Sequence, residues 1–129
     1  LSTESAVYIN GSDENITVTV SGSRVTFDQN PVMYNDRTLV PMRKIFEELG
    51  ATVSWDENTQ TASGTKNGKT VSLTVGSRTM NVGGTEITLD TPPIVLSDRT
   101  LVPARAVAEG MGCNVNWDGA SNTVIITEK

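Results

Sequence analysis

The sequence predicts an α+β fold made of two tandem β-rich repeats, each a small antiparallel sheet packed around one short α-helix. Three observations lead there. A unit of about 62 residues occurs twice, and within each copy the hydrophobic periodicity changes from two to about four and back. The chain is also rich in Thr, Ser, Asn and Gly with only 5% aromatic residues, a balance suited to strands joined by short polar turns.

The repeat is read directly from the residues. The run Asp36-Arg37-Thr38-Leu39-Val40-Pro41 returns as Asp98-Arg99-Thr100-Leu101-Val102-Pro103. The same offset carries Arg43 to Arg105, Glu47 to Glu109, Gly50 to Gly112, Val53 to Val115, Trp55 to Trp117 and Asp56 to Asp118. Upstream the register holds in residue type, with Val20 over Val82, Val25 over Ile87 and Pro31 over Pro93. The organisation expected is a tail or leading strand over residues 1–15, a first repeat over 16–66 and a second over 67–129. A unit of this size buries only about 60% of its unfolded surface and is marginal alone, so the copies are expected to pack together or share strands across the join.

Each copy is expected to open with a hairpin. Ile16, Val18 and Val20 alternate with threonines before the turn Ser21-Gly22-Ser23, and Val25 and Phe27 alternate after it; Gly83-Gly84 marks the second such turn. An extended segment follows. Pro41 and Pro103 then suit the first position of a helix, where the missing N–H has no intrahelical partner to lose. Met42, Ile45, Phe46 and Leu49, and likewise Ala104, Val107, Ala108 and Met111, fall on one face of that helix. Gly50 and Gly112 stand where a left-handed C-cap ends it after about two and a half turns. Val53 and Trp55, with Val115 and Trp117, next alternate in a strand that stops at Asp56 or Asp118, where turn residues lead into a final strand. Asn67-Gly68 predicts a turn before a connecting strand that carries Val71, Leu73 and Val75 on one face.

Composition narrows function. A net charge of -5 opposes nonspecific binding to phosphate backbones or anionic lipid, so neither nucleic acid nor a membrane surface is an expected partner. No apolar run approaches the roughly 20 residues of a membrane span, so no membrane insertion is expected. The opening residues have no signal core, which suggests a removed signal or a piece of a longer chain. One cysteine, Cys113, allows no internal disulfide. With no histidine, the commonest metal ligand and general base is missing. No phosphate loop, zinc spacing, nucleophile elbow or calcium ladder is present, so no cofactor, metal or catalytic residue is assigned.

The repeated polar and aromatic residues are read as scaffold. Pro41, Arg43, Gly50, Trp55 and Asp56, with Pro103, Arg105, Gly112, Trp117 and Asp118, are taken as structural. The two tryptophans share the parity of a valine on a strand beside an amphipathic helix, which places them in the core; if exposed, they would instead offer a sugar-stacking surface. Arg43 and Arg105 oppose the dipole at a helix N-terminus and are expected to be rewarded by Asp56 and Asp118. Asp36-Arg37 and Asp98-Arg99 read as polar turns with exposed arginines. Ligand-binding candidates are sought where the copies differ: Tyr8, Tyr34, Phe46, Lys66, Lys69 and Arg78.

At Asp36–Asp56 and Asp98–Asp118 the chain resembles the copper amine oxidase-like N-terminal domain family, in the run RTLVP, the arginine two residues past its proline, the helix-ending glycine and the Trp-Asp step. The likeness covers nearly all of residues 16–129. It implies a small antiparallel sheet around a helix, in modules that occur in tandem in secreted and cell-envelope proteins of Gram-positive bacteria. Oxidase chemistry does not come with it, because that chemistry needs three histidine ligands and a tyrosine-derived quinone, and this sequence has neither. Two functions follow as expectations. One is a noncatalytic, extracellular module that spaces, anchors or joins proteins, its partners being other domains of a parent chain or an envelope protein or glycan; the other is a carbohydrate-binding module for wall or plant polysaccharide.

Overall fold

The computed structural model describes residues 16–34, 36–96 and 98–128. Alternating Val and Thr form β1 (Thr17–Val20), which turns at Ser21-Gly22, both left-handed, into β2 (Ser23–Arg24). The expected hairpin is therefore present. The segment read only as extended is a second hairpin, β3 (Val32–Tyr34) and β4 (Arg37–Pro41), with Asp36 left-handed at its turn. Helix α1 (Met42–Glu48) follows, then β5 (Thr52–Asp56) and β6 (Thr61–Lys66). Strand β7 (Lys69–Thr74) connects the copies, its Val71 and Leu73 buried, after the predicted turn at Asn67-Gly68. The second copy repeats the order as β8 (Thr79–Val82), β9 (Thr85–Thr88), β10 (Ile94–Leu96), β11 (Arg99–Pro103), α2 (Ala104–Gly110), β12 (Cys113–Asp118) and β13 (Thr123–Glu128).

Strand pairing overturns the expected fold class of two tandem repeats. The described residues are mostly β, 53% strand against 13% helix, and 13 strands in three sheets build one domain. The physical reason is that neither copy owns a complete sheet. The first copy's closing strands and the second copy's opening hairpin form one sheet, β5-β6-β7-β8-β9. The second copy's closing strands and the first copy's opening hairpin form another, β12-β13-β1-β2, through a direct parallel pairing of β1 with β13. In the third sheet, β10-β11-β4-β3, the two RTLVP runs pair antiparallel with each other, Val40 opposite Val102 and Pro41 opposite Leu101. A motif that pairs with its own copy must occur twice.

Both helices lie in the main core. Ile45, Phe46 and Leu49 of α1 and its end, and Val107 and Ala108 of α2, are fully buried with Val18, Val40, Val71, Val102 and Ile126. The opposite face of the third sheet carries a smaller cluster of Val32, Leu39, Ile94, Leu96 and Leu101. Pro41 and Pro103 end their strands as N-caps, one residue before the helices begin, so their expected place at the first helical position is shifted by one. Gly50 and Gly112 are left-handed as predicted (φ 87° and 88°). At α1 the Gly50 N–H reaches the Glu47 carbonyl at 3.0 Å and the Ala51 N–H the Phe46 carbonyl at 2.9 Å, a Schellman closure.

Candidate functional site

The residues proposed from sequence do not converge. Lys66 donates to the Leu49 carbonyl at 2.8 Å and to Glu128 at 3.2 Å, so it caps α1 and ties two sheets together. Arg78 donates to the Asp90 carbonyl at 3.1 Å, and Lys69 packs its stem beside Gly83 at a hairpin tip. Tyr34 is half-buried against the smaller cluster, Phe46 is fully buried, and Tyr8 lies outside the described residues. Among the described residues no group of three or more His, Cys, Asp or Glu could hold a metal ion.

The arginine assignments need correction. Arg43 lies 4.0 Å from Glu47 and Arg105 3.2 Å from Glu109, one helical turn on, and Arg105 also donates to the Val115 carbonyl at 3.3 Å. Asp56 and Asp118 are taken up by their own turns: Asp56 accepts the Asn58 N–H at 2.9 Å, and Asp118 the Ala120 N–H at 3.1 Å. A carboxylate that close to backbone donors needs no arginine. The turn arginines, exposed as expected, also cross between copies. Arg37 donates through Nε and Nη2 to Asp90 Oδ2 at 3.1 and 2.5 Å; Arg99 does the same to Asp28 Oδ2 at 3.1 and 2.8 Å. These are equivalent pairs, since Asp28 and Asp90 occupy matching positions. The hydrogen bond from Arg99, aided by its charge, holds the Asp28 carboxyl below the usual carboxylate range.

Trp55 packs, half-buried, against the main core, while Trp117 departs from expectation. Trp117 is 42% exposed, and Trp55 is half-buried with its Nε1 donating to Glu57 at 2.9 Å. Among the described residues both stand on edge strands, β12 and β5, where a sheet has no neighbour to cover the outer residue. Alternation assigned them the correct face, but an edge strand's face is only partly roofed. They sit on different sheets and form no platform.

Trp117 instead walls a groove of about 870 Å³ above α2. The floor is Ala104, Ala106 and Gly110; one wall is Val115 and Trp117 of β12, the other Met80, Val82 and Ile87 of β8 and β9. Ile87 is 41% exposed. The end of the groove holds the Arg37–Asp90 pair and Thr91, a buried residue whose Oγ1 has no hydrogen-bond partner. The equivalent hollow over α1 is about 480 Å³ and lined by Met42, Arg43, Lys44 and Glu47 among others. The cause is side-chain size: Met42, Lys44 and Glu48 on α1 are replaced on α2 by Ala104, Ala106 and Gly110. On α1, Lys44 and Glu48 pair at 3.2 Å; on α2 only Ala106 is part-exposed, Gly110 being buried against Val71, Met80 and Val82.

Sequence reasoning passed over Ala106, Gly110, Ile87 and Thr91. The signal that finds them is loss of bulk and charge on one helix face at a fixed offset, visible only when the copies are compared position by position. A family model described as the copper amine oxidase N-terminal domain matches residues 19–126. No curated protein matches the sequence.

Proposed function

Because the chain belongs to the copper amine oxidase N-terminal domain family, a noncatalytic domain family, we propose that it acts as a noncatalytic module of the cell envelope that joins its parent chain to another protein through the groove over α2. The observation that carries this reading is the difference between the two hollows. The duplicated scaffold is kept in both copies, and only α2 carries a bare alanine, Ala106, where α1 has Lys44, between two exposed apolar side chains, Ile87 and Trp117. Exposed apolar surface rimmed by polar residues is a feature of interaction sites. An extracellular setting agrees with the strand-rich, Thr- and Ser-rich composition and with the absence of any nucleic-acid-like basic charge.

A glycan-binding reading is second, and exposed Trp117 is the observation in its favour. Against it, a sugar platform gains from two coplanar aromatic faces, and Trp55 is turned to Glu57 on another sheet. The test uses Trp55→Phe, leaving Trp117 as the sole reporter, with acrylamide quenching during titration by soluble peptidoglycan fragments and plant glucans. The joining module predicts a readily quenched emission that no glycan alters, together with retention of a defined envelope protein that is lost in Ala106→Lys. A glycan that blue-shifts and shields Trp117 would replace this reading with carbohydrate binding.

A further inference from the structure

The partner's shape can be read from the edge of the groove. Among the described residues strand β9 is the last of its sheet, and all four of its residues are exposed. Its pairing with β8 is closed by the two-residue turn Gly83-Gly84, so Val82 and Thr85 form the first hydrogen-bonded pair. Pairs then alternate: Met80 with Ile87 is bonded, as is the next, where Leu89 donates to the Arg78 carbonyl at 2.6 Å. Glu86 and Thr88 therefore turn their N–H and C=O groups away from β8, on the edge of a strand that also lines the groove. A strand added there lies about 4.8 Å from β9, between Ile87 and Trp117.

Side-chain chemistry agrees with that placement. Residues of an added strand opposite Ile87 share its face and enter the apolar groove; those opposite Glu86 and Thr88 lie on the other face. Glu86 has no ion-pair partner among the described residues, and the chain carries a net charge of -5, so a basic side chain complements this edge. A second copy of the chain brings the same net charge of -5 to this edge.

We propose that the groove over α2 takes an extended segment of a partner protein as an additional strand along β9, with apolar side chains facing Trp117 and basic ones beside Glu86. This rests on the groove reading above and names its ligand class. Two fluorescent peptides of about nine residues are the probes, one alternating Lys with Val and the other Glu with Val, measured by anisotropy and by amide hydrogen exchange. The Lys–Val peptide binds at least about tenfold more tightly than its acidic twin, and Glu86→Lys reverses the preference. On binding, the Glu86 and Thr88 amides exchange at least about tenfold more slowly, while that of Ile87, already bonded to Met80, is unchanged. Binding that is lost in Ala106→Lys but leaves both edge amides unprotected overturns strand addition and keeps the groove as the site. Equal or absent binding of both peptides overturns the proposal, as does protection of the same amides by rising protein concentration alone, which would make a second copy the occupant.

Discussion

Phe46 and Gly64 are fitted to each other: a Cβ on Gly64 would overlap the Phe46 ring. At the matching positions of the second copy stand Ala108 and Ile126, both fully buried, so the large and small partners are exchanged. Gly64→Ala should therefore cost roughly 1–3 kcal/mol by overpacking, and Phe46→Ala about 3–5 kcal/mol by leaving a cavity. The double change Phe46→Ala with Gly64→Ile rebuilds the second copy's arrangement in the first. Urea unfolding should show it more stable than Phe46→Ala alone; a double variant no better than the sum of its parts would mean the two sites do not share one space. A different residue-scale effect resides at Asp28. Its carboxyl is depressed below the unfolded value by Arg99, so the stabilisation is present above about pH 4 and fades as pH falls through the folded value. Asp28→Asn removes the titration, and its melting temperature should decline less steeply than that of the natural protein between pH 5 and pH 2. Identical slopes would show that the pair contributes nothing in solution, a common fate of exposed ion pairs.

At the scale of elements, the helices and hairpins were legible because each is specified locally. A proline before an apolar face at i, i+3 and i+4, then a glycine, marks α1 and α2 to within a residue or two, and Gly-containing turns mark the hairpins. Gly112 is left-handed with open space where a side chain would go, so its substitution tests the backbone alone. Gly112→Ala should cost about 1 kcal/mol and Gly112→Asn less, since Asn tolerates that conformation; equal costs in chemical denaturation would point to a packing role instead. The groove was illegible for a corresponding reason. Residue-by-residue reading favours what the copies share, and Ala106 and Gly110 carry no chemistry of their own. They matter only because Lys44 and Glu48 cover the equivalent face of α1. The burial of Trp117 was misjudged because alternation names a face, while the exposure of that face depends on whether the strand is central or at an edge, which pairing across the molecule decides.

The whole molecule is interleaved, and a 62-residue pattern says only that the copies must pack together or share strands, not which strands pair. Periodicity is a property of one segment; which segment it pairs with is set by the requirement that two marginal units bury their sheets together. The registers show how that is met. Thr17 to Val20 run parallel to Thr123 to Ile126, about a hundred residues away in sequence, and the Thr17 N–H donates to the Asn122 carbonyl at 2.9 Å. The Arg37–Asp90 and Arg99–Asp28 pairs and the Lys66–Glu128 contact all cross between the copies as well. Cutting the chain at the Asn67-Gly68 turn therefore separates strands that need each other, β6 from β7 and β1 from β13. Neither residues 16–66 nor residues 67–128 should fold alone: each should lack a cooperative thermal transition, because each loses the core supplied by the other half. Mixed in equal amounts, the two fragments should recover the strand signal in far-ultraviolet circular dichroism and the tryptophan emission of the intact chain, with a midpoint that rises with concentration as two-body assembly requires. Two independent repeats make the opposite demand. Each half would then melt cooperatively by itself, at a temperature that ignores both its concentration and the presence of its partner.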